Sequence, residues 1–324
     1  MPSDRTLREV AESRGFDVGA AVDADSLRRD ASYRTRLAEE FSALTPENAL
    51  KMGPLRPTPD TYDFRDADAI VNFGRANDTT VRGHALVWHN QTPDWFQSWD
   101  YTDDQLRTFL REHVHTVVGR YRRTVDAWDV VNEAVADDGT MRETVWYDAM
   151  GEAYVDRAFE WANEVNPDAD LYYNDYGADA VNGKSDAVYD LLDRLLDRGV
   201  PVDGVGLQLH ALGEWPDPAS IAENVRRFQE LGLDVQITEM DVAFPAGEAP
   251  DDALERQAEY YRDVVDVCLE TGVDTLVTWG VRDADSWLRS FRDFSERFTG
   301  DPLLFDDRNR PKPAYRAVSE ALSE

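Results

Sequence analysis

Eight short apolar runs, each closed by turn residues and separated by stretches of helical period, constrain this 324-residue chain more than any other feature. They fall at 16–22, 40–44, 81–87, 125–131, 170–173, 204–209, 233–238 and 273–278. Three of the intervening helices are well marked. Thr102 and Gln105 form a capping box ahead of a stripe of Leu106, Phe109, Leu110, Val114, Val117 and Tyr121. Ser185 is expected to cap a helix striped by Val188, Leu191, Leu192 and Leu195, closed by Gly199 with Pro201 beyond. Leu254, Ala258, Tyr261, Val265 and Cys268 make the last stripe, stopped by Gly272. Strands that alternate with helices pair in parallel, because each return to the sheet needs a helical crossover. Even spacing, the lack of a linker and the lack of a Gly-rich phosphate loop after the first strand favour closure over an open doubly wound sheet. The expected fold is one α/β domain over 1–324, a (β/α)8 TIM barrel.

A barrel of this kind carries its chemistry at the C-terminal ends of the strands. Those ends supply Glu47, Asn48 and Lys51; His84, Trp88 and His89; Asn132 and Glu133; Asn174, Asp175 and Tyr176; Gln208 and His210; Glu239 and Asp241; and Trp279 with Trp287. The set is rich in carboxylate, amide, imidazole and indole and poor in hydroxyl nucleophiles. Amides and carboxylates suit sugar hydroxyls, and indole faces suit the C–H faces of pyranose rings. Glu133 and Glu239 each follow an apolar strand that would deliver a carboxyl group to the mouth. Two carboxyl groups across a cleft are the machinery of glycoside hydrolysis. Spacing alone only suggests the pair, since many carboxylates line any mouth in a chain with 65 acidic residues.

The segments TPENALKM, VRGHALVWHNQTPDWF, WDVVNEAV, LYYNDYG, GVGLQLHA, VQITEMDV, VTWGVRDADSWL and DPLLFDDRNRPKPAY narrow the choice. In order, and over nearly the whole chain, they resemble glycoside hydrolase family 10, the retaining endo-β-1,4-xylanases. The resemblance implies double displacement on xylan or xylo-oligosaccharides, with Glu133 as acid/base and Glu239 as nucleophile, and carboxyl groups about 5 to 5.5 Å apart. It implies that His210 and Asp241 orient and tune Glu239, and that Asn132 bonds the sugar 2-hydroxyl. Glu47, Asn48 and Lys51 resemble the glycone-side binders. His84, Trp88, Gln208, Trp279 and Trp287 resemble the residues around the reacting ring, and Tyr176 the aromatic on the aglycone side. A core or backbone-satisfying role is the alternative for Trp88, Trp279, His84, His89 and Gln208. The chain departs from the family pattern at Met52, where Trp is usual, at Gly177, where Asn is common, and at Arg310, where an aromatic is common. Arg289, beside Trp287, is expected to alter how an incoming chain is held.

Composition bears on partners and setting. The formal charge is −31, and only three of the 34 basic residues are lysine, namely Lys51, Lys184 and Lys312. Such a chain repels phosphate backbones, so no nucleic-acid partner is expected. The acid-rich, lysine-poor balance is read as a halophile-type composition, since salt at about 1 M shortens the Debye length to about 3 Å and relieves self-repulsion. Cys268 is the one cysteine, which excludes a disulfide framework and a thiolate cluster. His113 and His115 fall two apart on one helix, about 200° around its axis, and are not expected to share a metal. Neither a metal nor a cofactor is expected. Without an apolar run near the roughly 18 residues of a membrane span, no membrane partner is expected, and the protein should be a monomer. The opening MPSDRTLREV lacks the apolar core of a signal peptide, which reads as cytoplasmic, or as secreted if a leader has been removed. Two other functions stay open at this point. One is a retaining β-glycanase of the same fold acting on cellulose-derived or β-1,3-linked chains, and the other is a catalytically inactive glycan-binding barrel.

Overall fold

The computed structural model describes residues 5–247, 250 and 252–324. Nine strand segments build the sheet: β1 (Asp17–Val22), β2 (Ala43–Pro46), β3 (Thr80–Val87), β4 (Ala127–Asn132), β5 (Asp170–Asp175), β6 (Gly204–Leu207), β7 (His210–Leu212), β8 (Asp234–Ala243) and β9 (Thr275–Thr278). Every pairing is parallel. β1 lies between β2 and β9, and a β6–β8 pairing closes the sheet into a barrel. β6 and β7 are two pieces of one barrel strand. The chain breaks at Gln208 and at Leu209, whose φ is 57°, and then resumes against the far end of β8 at Asp241–Ala243. The molecule is therefore the expected (β/α)8 barrel, with eight strand positions around its mouth.

Three expectations about element limits are corrected. The run at 40–44 is not all strand. The helix Ala31–Glu40 holds Glu40, whose buried carboxylate accepts from Leu7 N–H at 2.8 Å, Arg36 at 2.7 Å and Tyr315 at 2.8 Å, and β2 begins only at Ala43. The run at 233–238 extends to Ala243, so Glu239 and Asp241 lie within strand β8 rather than after it. Asn182, not Ser185, is the N-cap of the helix Gly183–Asp197. Its side chain accepts from Lys184 N–H and Ser185 N–H, and Ser185 answers from the third helical position to complete a capping box.

Fully buried Trp128, Tyr172 and Tyr173 rise from adjacent barrel strands. Such bulk needs small neighbours. A Cβ on Gly83 would stand 2.3 Å from the Trp128 ring, and one on Gly204 would stand 2.3 Å from the Tyr172 ring. Glycine at these two positions lets strands carrying large side chains lie next to each other. Inside the barrel, Arg82 forks onto Asp129 at 2.5–3.1 Å and bonds Gln236 at 2.8 Å, with its guanidinium over the Tyr172 ring at 4.4 Å. Asp129 is held below the usual carboxylate range: burial opposes its charge, and the adjacent Arg82 overcomes that cost. Its second oxygen meets His84 Nδ1 at 2.9 Å, which ties the buried network to the floor of the mouth.

Candidate active site

The strand ends surround a cleft of about 930 Å³. Glu47, Asn48, Lys51, His84, Trp88, Asn132, Glu133, Tyr176, Gln208, His210, Glu239, Trp279 and Trp287 all line it, and Asp241 lies directly behind His210.

Glu133 follows β4 in the left-handed region, at φ 58°. Carbonyl and Cβ crowding makes that conformation costly for a side-chain-bearing residue, by about 1–3 kcal/mol. Its N–H donates to Asn174 O at 2.8 Å, and its carbonyl accepts from Arg142 Nε at 2.9 Å. The carboxyl group is held on both oxygens. Oε1 accepts from Asn132 at 3.1 Å and Gln208 at 3.2 Å, while Oε2 accepts from the Trp88 indole at 2.8 Å. The indole therefore serves as a donor at the mouth as well as a face in the cleft wall. His89 Nδ1 stands 3.8 Å from the same oxygen without a hydrogen bond.

Glu239 is bound differently. Oε1 accepts from Asn174 Nδ2 at 2.7 Å, and Oε2 lies 3.3 Å from His210 Nε2. Burial raises the cost of its charge, but His84, His210 and Lys51 together outweigh that and hold it below the usual glutamate value. His210 is fixed from behind, with Nδ1 2.9 Å from Asp241 Oδ1. Burial disfavours the imidazolium, yet Asp241 and Glu239 on its two sides raise it well above the ordinary histidine value. The other oxygen of Asp241 accepts from Trp287 Nε1 at 2.6 Å. A wall aromatic and the tuning network of Glu239 thus share one carboxylate.

The two glutamates are joined by amides. Asn132 Oδ1 accepts from Asn174 Nδ2 at 2.8 Å and from Gln208 Nε2 at 3.2 Å, and Asn174 Oδ1 accepts from Thr238 Oγ1 at 2.6 Å. Beside them, Lys51 Nζ donates to Asn48 at 3.1 Å and lies 4.6 Å above the Trp88 ring and 5.9 Å from that of Trp279. Loss of hydration lowers Lys51 and pushes Glu47 up to about 7, in the latter case against the pull of Lys51. On another wall the Tyr176 ring lies over Lys184 Nζ at 3.4 Å, and its hydroxyl donates to Asp137 at 2.6 Å. Lys184 also pairs with Asp175 at 3.0 Å, and burial pushes Asp175 up to about 7.

Asn174, Asp129 and Arg82 were not singled out as site residues from the sequence. Asn174 stands in the strand-end run Asn174-Asp175-Tyr176, the one available signal, whereas Asp129 and Arg82 sit inside apolar strands and give none. The expectation for Arg289 is corrected. Its guanidinium bonds Gly300 O at 2.7 Å, Asp307 at 2.8 Å and Asp301 at 2.6 Å, and it does not line the cleft, whereas Arg297 does. The other departures leave the mouth intact. Gly177 sits at φ 65°, a region both Gly and Asn enter, Met52 is buried, and exposed Arg310 pairs with Asp306. His113 is buried and pushed down to about 3 by lost hydration, while His115 faces Glu164 at 3.3 Å. Among the described residues no group of three or more His, Cys, Asp or Glu is set to hold a metal ion, and no helix is long and apolar enough to cross a membrane.

In sequence and in fold the chain is similar to known proteins. The chain is 40% identical to endo-1,4-beta-xylanase B of Thermotoga neapolitana, covering 99% of this chain and 92% of the relative. It is 41% identical to a beta-1,4-xylanase of Dictyoglomus thermophilum, over 96% and 89%. Native xylanase 10B of Thermotoga maritima superposes with a TM-score of 0.93 at 41% identity, over 98% of each chain. Xylanase 10B of Thermotoga petrophila, solved in complex with xylobiose, also gives 0.93, at 40% identity over 99% and 98%. Residues 6–321 match glycosyl hydrolase family 10, and the chain belongs to that family.

Proposed function

We propose that this protein is a retaining endo-β-1,4-xylanase, in which Glu239 attacks the anomeric carbon and Glu133 protonates the departing oxygen. The observation that carries the assignment of roles is the asymmetry between the two carboxyl groups. Glu239 has a cation on one oxygen and is held ionised, as a nucleophile must be. Glu133 accepts hydrogen bonds from neutral donors only, Asn132, Gln208 and the Trp88 indole, and no cation bonds either of its oxygens, which leaves it the proton-transfer role. Once Glu239 forms the glycosyl ester its charge vanishes, and Glu133 then serves as base for the attacking water. Asn132, which bridges both groups through Asn174 and Gln208, is placed to bond a sugar 2-hydroxyl as charge develops on the ring. The relative from Thermotoga petrophila holds xylobiose, which supports a xylose-based ligand for this cleft.

Product analysis on xylan, xylo-oligosaccharides and carboxymethylcellulose tests the reading. Internal cleavage of the first two with little on the third is expected, and preferential hydrolysis of carboxymethylcellulose would overturn the substrate assignment. Glu239→Ala is expected to abolish turnover, and azide to restore it with an inverted glycosyl azide. Near-native activity of that variant would sink the role assigned to Glu239.

Two narrower readings go with this one. Composition alone supports a fold that needs salt, for which thermal unfolding across KCl concentrations is the test; a midpoint that is highest in dilute buffer would contradict it. A cytoplasmic role on short imported oligomers draws support from a 34% identical neighbour from Thermoanaerobacterium saccharolyticum described as an intracellular xylanase, with a TM-score of 0.89 over 98% and 99% of the chains. Enzyme recovered outside the cells would count against it.

A further inference from the structure

We infer that Arg297 makes the cleft selective for xylan chains that carry a carboxylate side group, a uronic acid, and that it binds that carboxylate. The inference rests on the xylan reading above and adds a substrate class to it.

Among the described residues, Arg282, Arg289, Arg292 and Arg310 of the loop after β9 pair with carboxylates, and Arg297 and Arg308 do not. Arg289 bonds Asp301 and Asp307, Arg292 bonds Glu296 at 2.8 Å, and Arg282 bonds Asp30 and Asp285. Of those two, Arg297 is the one at the cleft. It is exposed, it lines the cleft, and among the described residues its guanidinium has no carboxylate within 4 Å; it lies instead over the Phe298 ring at 5.1 Å. Its backbone is anchored, since its carbonyl accepts from Ala246 N–H at 2.8 Å and its N–H donates to Phe294 O at 3.0 Å. The side chain is thus offered to the cleft from a fixed base.

The route from the reacting atoms to this guanidinium is aromatic. Trp287, bonded through Asp241 to the network of Glu239, packs on Phe294 at 4.5 Å, and Phe294 stacks on Phe298 at 6.3 Å. Phe291, half exposed, extends the same wall. Apolar ring faces that end in a planar cation match a sugar ring that ends in a carboxylate, because a guanidinium meets a carboxylate through two parallel N–H donors. The exposed guanidinium offers an acidic substituent a counter-charge at the cleft of a chain whose formal charge is −31. The loop follows the last barrel strand, half-way around the mouth from β4, so the bound carboxylate lies on the wall across the cleft from Glu133.

The test compares kcat/KM for an unsubstituted xylo-oligosaccharide with that for the same oligosaccharide bearing one glucuronic acid. The native enzyme is expected to favour the acidic substrate by roughly 3- to 10-fold at the lowest salt concentration at which it stays folded, the size of one exposed charge-assisted contact. That preference should shrink towards unity in about 1 M salt. Arg297→Gln should remove it through KM of the acidic substrate, and Arg297→Lys, a cation without the planar fork, should keep part of it. Equal cleavage of the two substrates by the native enzyme would overturn the inference. So would a preference that survives in Arg297→Gln, or an equal loss on both substrates in that variant and in Arg297→Lys. If the native enzyme cleaved neither substrate, the xylanase reading itself would fall, which separates the two failures.

Discussion

Removing His210 changes the charge beside Glu239 without touching either proposed catalytic carboxyl group. Its Nε2 is 3.3 Å from Glu239 Oε2, and the imidazolium is secured by Asp241. At an effective dielectric constant of about 20, unit charges at that distance attract by about 5 kcal/mol, and about 1.4 kcal/mol corresponds to one pH unit. Undiminished, that attraction would move the ionisation of Glu239 by about 3.5 on the pH scale. Water entering the space left by the ring offsets part of this, and Lys51 and His84 remain, so about 1 to 2 units is the expected net shift. The sign follows from the direction of the native shift. Glu239 is held low and is active when ionised, so losing a cation raises its pKa and activity disappears at higher pH on the acid side. The assay is kcat/KM against pH for His210→Ala, using a xyloside with an activated leaving group so that the demand for a proton donor is removed. The acid limb should rise by about 1 to 2 pH units relative to the native enzyme. A limb unchanged in position, with activity reduced equally at all pH values, would show that His210 only holds geometry.

Three further outcomes follow from the same contacts. Asn174→Ala removes the 2.7 Å donor to Glu239 and the link to Asn132, and kcat should fall by about 10²–10³; a loss under about fivefold would mean that this amide is not part of the charge-stabilising set. Asp129→Asn leaves the buried Arg82 guanidinium without its counter-charge and should cost about 3–5 kcal/mol in urea unfolding, whereas native-like stability would show that Gln236 suffices. Gly83→Ala drives a methyl group into the Trp128 ring and should lower stability by about 1–3 kcal/mol or more, read as a fall in Tm; an unchanged Tm would mean that the strands can separate freely.

The barrel was legible in the sequence because parallel strands buried on both faces read as continuous apolar runs, and this chain spaces them with capped helices. The strand-end rule located the cleft for the same reason, since a strand that delivers Val130 and Val131 to the core delivers Asn132 and Glu133 to the mouth. What escaped was set by tertiary context. The break at Gln208–Leu209 and the continuation of β8 through Asp241 depend on which neighbour each strand end meets, and no local residue pattern marks that. Arg82 and Asp129 sit inside apolar strands and carry no local signal, because their partners, each other, Gln236 and His84, are brought together only across the barrel. Arg289 and Arg297 are both loop arginines near Trp287 in sequence. Which of them finds carboxylates and which is left facing the cleft depends on the fold of the loop, with Asp301 and Asp307 brought to Arg289.

The stereochemistry of the first product tests the central claim most directly. Proton NMR of a xylo-oligosaccharide digest, followed from the first seconds, reads the anomeric configuration before mutarotation blurs it. Attack by Glu239 followed by attack of water activated by Glu133 inverts twice, so the β-anomer should appear first and the α-anomer only at the rate of spontaneous equilibration. Initial release of the α-anomer would mean a single displacement by water and would contradict the roles assigned to both glutamates.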